Sequence, residues 1–169
     1  MTSYVALLRA INLGAASTIR KEQLIDAATT LGYARPRTFI ASGNLLFDTD
    51  AHEAAVKTAL STQLAAQLGR PVAVIVRTAA EMARIRDDNP FPAASGNRVL
   101  VTMLDAAPPA DALEYARHLD GEEMALGTRE IYVRYTDDGM GRSKLTIPAA
   151  APGTARNMNT VAKLAALLA

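Results

Sequence analysis

Apolar positions change their spacing several times along the chain, and each change marks an element. Residues 4–9 form a nearly unbroken apolar run, which predicts a buried strand. Leu24, Ile25, Ala28 and Leu31 then fall on one helical face, with Gly32 as a C-cap. Residues 36–41 and 45–48 read as two strands joined by a turn at Ser42, Gly43 and Asn44, with Gly43 at positive φ. Asp50 and Glu53 resemble a capping box ahead of a helix in which Val56, Leu60, Leu64 and Leu68 recur at steps of four, ended by Gly69. Valine-rich residues 71–77 predict a further strand. Strand, helix, strand, strand, helix, strand is the order of a ferredoxin-like βαββαβ unit.

Beyond residue 77 the pattern repeats in a degenerate form. Thr78 and Glu81 make a stronger capping box, opening a short helix with Met82 and Ile85 inward, and Asn89-Pro90-Phe91-Pro92 breaks it. Residues 98–104 predict a strand, and Pro108 and Pro109 open a helix that buries Leu113, Ala116 and Leu119. Residues 124–126 and 131–135 read as two strands, with Tyr132 and Tyr135 alternating against Ile131 and Val133 so that one set is core and the other faces outward. Residues 143–147 suggest another strand, and Met158, Val161, Leu164, Ala165 and Leu168 line a last helix. The expected fold class is therefore α+β: two tandem ferredoxin-like (βαββαβ) halves packed as one globular unit. Their expected spans are residues 1–88 and 89–169, the second half degenerate and closed by the C-terminal helix.

Composition narrows the function classes. A chain of 169 residues buries roughly 70% of its unfolded surface and needs no staple. Half its residues are hydrophobic and 21% are charged, which excludes a disordered chain. No uncharged stretch approaches the ~18 apolar residues of a membrane span, so no membrane partner is expected. Arg9 interrupts the first apolar run and no basic region precedes it, unlike a signal peptide, so a cytoplasmic location is expected. The absence of cysteine removes disulfides, thiolate nucleophiles and cysteine metal sites. His52 and His118 both lie in stretches read as helix and repeat no ligand spacing, so no metal is expected. Gly14 lies in no dinucleotide fingerprint, and residues 139–144 fail the phosphate-loop spacing, so no cofactor is expected either. The lack of tryptophan and the scarcity of other rings argue against nucleic acid as a partner.

A net charge of +1 hides an asymmetry. Residues 1–77 carry net +3, residues 78–138 net −6 and residues 139–169 net +4. The basic end includes Arg142, Lys144 and Arg156, while Arg9 ends the first strand with Asn12 just beyond it. Were these cations to converge, they would favour phosphate or carboxylate; scattered surface charge is the simpler alternative. Ser42 and Asn44 offer a hydroxyl and an amide at a sheet end, although turn geometry alone accounts for them. Residues 154–160 hold several N-cap candidates, and a helix N-terminus carrying Arg156 is a natural anion site. On a strand, Ser143 and Lys144 would point to opposite faces and could not act together.

Five ordered stretches resemble one known family. They are residues 4–14, residues 37–47, Asn89-Pro90-Phe91, residues 141–145 (Gly-Arg-Ser-Lys-Leu) and residues 154–160 (Thr-Ala-Arg-Asn-Met-Asn-Thr). Together they resemble the bacterial domain of unknown function family 1697. The resemblance implies a pair of ferredoxin-like halves and brings no reaction. It implies signature polar positions at Arg9, Asn12, Ser42, Asn44, Arg142, Ser143, Lys144, Arg156 and Asn157. Ala10, Ala15 and Met158 depart from it, standing where two glycines and an aromatic are usual.

The leading expectation is a protein that binds a phosphate-bearing small molecule or nucleotide through those nine residues. One alternative is an enzyme on a phosphorylated or acyl substrate, with Lys144 or a serine reacting. Another is an interaction protein forming a homodimer edge to edge along a sheet.

Overall fold

The computed structural model describes residues 1–9, 19–39 and 43–169. Asn12 and Ser42, with Ala10, Gly14 and Ala15, lie outside the described residues. The chain is a mixed α+β protein, with two four-stranded antiparallel sheets and four α-helices among the described residues. It divides into two compact units: Met1–Glu81 with Leu167–Ala169, and Met82–Ala166.

The first unit runs β1 (Thr2–Leu8), α1 (Lys21–Thr30), β2 (Ala34–Thr38), β3 (Asn44–Thr49), α2 (Glu53–Leu68) and β4 (Val74–Thr78). Its sheet has the order β2-β3-β1-β4. The apolar run of β1 earns its central place, pairing with β3 on one side and β4 on the other. Tyr4, Ala6 and Leu8 of that strand enter a core with Leu45, Phe47, Val74 and Val76 from the sheet. Leu24, Ala27 and Ala28 of α1 and Val56, Leu60 and Leu64 of α2 cover it. The predicted helical faces are thus the buried ones, except that Ala27 takes the core position expected of Ile25, which is half-buried. Gly43 adopts φ 75° as expected, and Gly69 ends α2 in the left-handed conformation. The expected Asp50 cap is corrected: His52 is the N-cap of α2, its Nδ1 accepting from Ala55 N at 3.3 Å. The imidazole sits two residues nearer the first turn and takes the orphan N–H that a carboxylate would have taken.

Helix α3 (Ala79–Asp87) opens on the predicted box: Thr78 N donates to Glu81 Oε2 (2.9 Å) and Glu81 N donates to Thr78 Oγ1 (3.2 Å). The second unit then contains β5 (Val99–Met103), β6 (Glu123–Leu126), β7 (Glu130–Arg134) and β8 (Thr154–Asn157), followed by α4 (Met158–Leu168). The sheet order is β6-β7-β5-β8.

Three expectations fail here. The helix expected after Pro108 and Pro109 is only a 3-10 turn, Ala112–Tyr115. Leu113 and Ala116 still pack against Leu104, Ile131, Val133 and Ile147, but Leu119 is half exposed. Ala116 is already extended, Arg117 forms an antiparallel bridge with Thr146, and His118 takes φ 60°. A distant backbone partner outweighs the weak propensity of a short helix. The strand expected over residues 143–147 reduces to that single bridge at Thr146. Tyr132 does not face outward: Ile131, Tyr132 and Val133 are all buried, because both faces of β7 are covered. The Tyr132 hydroxyl donates to Ile85 O at 3.0 Å, which satisfies the one polar atom that burial would otherwise strand.

Candidate functional site

The failed helix and failed strand together build a cavity of about 370 Å³ in the second unit. Paired backbone hydrogen bonds between Arg117 and Thr146 (2.8 and 3.0 Å) clamp the two segments side by side. His118, Asp120 and Glu122 line one wall, and Arg142, Ser143 and Lys144 line the other, with Thr136 and Asp138 also in the lining. The chain reverses at Gly121, whose φ of 85° suits glycine and whose missing Cβ would sit 3.0 Å from Thr136 Cγ2.

Glu122 is the buried anchor of this wall. Its Oε1 accepts the Ser143 hydroxyl and its Oε2 accepts from Asp120 N at 2.6 Å. The Ser143 hydroxyl first, and the N–H groups of Asp120 and Glu122 itself next, hold this carboxyl below the usual glutamate range against the opposing effect of burial. Ser143 Oγ also accepts from Leu145 N at 3.2 Å, so the serine is bound on both sides. Burial, and secondarily the charge of Glu122, raises the Tyr135 phenol. The rim is more open: Arg142 and Asp138 are 3.9 Å apart with most of both side chains in solvent. Such a pair contributes little on its own and exchanges readily.

The cavity unites three of the nine residues singled out from sequence: Arg142, Ser143 and Lys144. The opposite-face argument against Ser143 and Lys144 acting together lapses, because their segment is not a strand. Arg156 and Asn157 lie elsewhere in the same unit. Arg156 stands on β8 opposite Val101, one residue before the Asn157 that caps α4, and is buried, donating to Thr154 Oγ1 (2.9 Å) and Ala155 O (2.8 Å). Burial pulls its guanidinium down to about 10, still charged at neutral pH. Asn157 Oδ1 accepts from Thr160 N at 2.9 Å, capping the first turn of α4. Arg9 and Asn44 belong to the first unit. Arg9 is exposed just past β1, and its backbone N donates to Ala73 O at 3.1 Å. Asn44 is buried, with Nδ2 donating to Phe39 O at 2.9 Å across the hairpin. Asn12 and Ser42 lie outside the described residues.

Sequence reasoning missed His118, Asp120, Glu122 and Asp138. His118 sits in a stretch read as helix, Asp120, Glu122 and Asp138 sit in polar stretches that read as solvated surface, and only Gly121 between two carboxylates hinted at a turned wall. Among the described residues, no three His, Asp or Glu side chains are placed to hold a metal ion, and no helix is long and apolar enough to cross a membrane.

These features define a two-sheet α+β protein whose second unit carries a polar, mixed-charge cavity. The chain belongs to the family described as protein of unknown function DUF1697, whose model matches residues 1–132. The match takes in the His118–Glu122 wall and stops short of Arg142, Ser143 and Lys144. The fold is similar to that of the conserved bacterial protein SP0830 from Streptococcus pneumoniae, with a TM-score of 0.78 and 19% identity over 99% of this chain and 98% of that one. Identity at that level speaks to fold alone. No curated protein matches the chain.

Proposed function

We propose that this protein binds a small phosphate-bearing molecule in the cavity of its second unit. Arg142 and Lys144 supply the charge, and Ser143 with Glu122 holds the wall that presents them. The observation that carries the reading is the cavity itself, which collects Arg142, Ser143 and Lys144 across from the His118–Glu122 wall. Arginine offers a forked donor set and lysine a compact charge, the usual pair of means for gripping phosphate. A volume of about 370 Å³ lies at the small end of the range for metabolite sites, which favours a monomeric ligand over a polymer. The proposal thereby narrows nine candidate residues to three, and gives Asn44 and Asn157 structural work.

The two units also read as ferredoxin-like halves. Their sheets share one strand order when numbered from each unit's first strand. In the second unit, 3-10 turns stand where the first has helices.

Thermal-shift titration with inorganic phosphate, sulfate and phosphate monoesters tests the binding reading. Binding stabilises by RT ln(1 + [L]/Kd), about 2.7 kcal/mol at a hundredfold excess over Kd. Arg142→Ala and Lys144→Ala abolish the shift on this reading. No shift with any anion, or shifts indifferent to both substitutions, overturns it.

A further inference from the structure

The cavity is not a simple anion trap. Beside Arg142 and Lys144 it carries Asp120, Glu122 and Asp138, and a bare phosphate dianion entering it meets three carboxylates as well as two cations. The three carboxylates are not equivalent. Both oxygens of Glu122 are committed, one to the Ser143 hydroxyl and one to Asp120 N. Asp120 and Asp138 are exposed at the rim, and Asp138 has only a distant hold on Arg142. A ligand whose phosphate takes Arg142 away from Asp138 leaves that carboxylate seeking a donor.

Resting on the phosphate-binding reading above, we propose that the ligand is a phosphorylated polyol such as a sugar phosphate. Its phosphate lies on Arg142 and Lys144, and its hydroxyls donate to Asp120 and Asp138. Carboxylates are acceptor-only when ionised, so the remainder of the ligand must bring donors. Hydroxyls supply those donors without adding a cation that would compete with Arg142 and Lys144 for the phosphate. Direct contact fits better than a bridging metal, since no three acidic or histidine side chains among the described residues are placed to hold one. The cavity volume of about 370 Å³ suits a ligand of this size.

Calorimetric titration of the full chain with ribose 5-phosphate, an alkyl phosphate of similar size and inorganic phosphate tests this. The sugar phosphate is expected to bind about tenfold more tightly than the alkyl phosphate, the equivalent of one hydrogen bond to a charged group. Asp120→Asn and Asp138→Asn are expected to collapse that preference while leaving inorganic phosphate bound equally or more tightly, because a repelling charge has gone. Both residues are exposed, and an unchanged melting temperature without ligand confirms that the variants fold. Equal affinity for the two esters, or a preference that survives both substitutions, overturns the polyol assignment while phosphate binding stands. Failure of every phosphate compound to bind overturns the phosphate reading and this inference with it.

Discussion

The Ser143 hydroxyl donates to the buried carboxylate of Glu122, 21 residues away along the chain. With the Arg117–Thr146 bridge, this bond fixes the spacing between the two walls of the cavity. The cavity is therefore formed before any ligand arrives, which limits the ordering cost of binding. The energetic asymmetry lies with Glu122: a buried carboxylate that loses its donor suffers more than the donor does.

Ser143→Ala should change the acid limb of the stability profile. The folded carboxyl of Glu122 lies below its usual value, chiefly through Ser143. Its contribution to stability is complete above the unfolded value of about 4.3 and is lost as pH falls through the lower folded value. Removing the hydroxyl brings the two values closer, with the N–H groups of Asp120 and Glu122 still lowering the folded one. Urea midpoints measured between about pH 3 and pH 7 should then fall less steeply on the acid side for the variant than for the parent chain. Parallel profiles would show that Ser143 does not set this titration.

Where sequence and structure agree, a local pattern and the tertiary packing request the same thing. The step-of-four leucines of α2, the Thr78–Glu81 box and the valine run of β4 all name their own partners. Residues 108–119 and 143–147 were illegible for the opposite reason. What decides them is a bridge between Arg117 and Thr146, and no window of a dozen residues contains both. The cavity inherits that difficulty. Arg142 and Lys144 stood out by charge, whereas Glu122 was hidden because burial of a carboxylate follows from a donor that lies 21 residues away.

A second buried carboxylate makes a sharper stability prediction. Arg84 Nη2 of α3 donates to Glu130 Oε1 of β7 at 2.6 Å, and the Glu130 side chain is fully buried. The Glu130 hydrogen bond, opposed by burial and helped by the Glu130 charge, raises the Arg84 guanidinium above its usual value. Arg84→Met takes the counter-charge and the Oε1 donor from this carboxylate, leaving it only Arg129 N on Oε2, and should cost roughly 3 kcal/mol, toward the low end because Arg84 itself keeps some contact with water. Adding Glu130→Gln removes the stranded charge and should recover most of that loss. Denaturant unfolding of the two single variants and the double variant forms the cycle that measures it. Additive losses in the double variant would show that the pair is not coupled.

The entry into β8 rests on an absent side chain. Gly153 donates its N–H to Ala150 O at 3.0 Å and precedes the strand that pairs Thr154 with Met103. A Cβ there would lie 2.5 Å from Thr102 Cγ2, 2.7 Å from Met103 O and 2.8 Å from Leu104 Cδ2. The threonine methyl and the leucine tip can rotate, but the Met103 carbonyl belongs to the central strand of the sheet and cannot retreat without disturbing its ladder. Gly153→Ala should therefore destabilise by about 1–3 kcal/mol, as overpacking against fixed backbone does. Gly141→Ala is the matched control, since a Cβ there meets nothing within 4 Å, and its effect should stay within about 0.5 kcal/mol. Equal effects from the two substitutions in denaturant unfolding would assign the cost to lost glycine freedom instead of to the close approach at Met103.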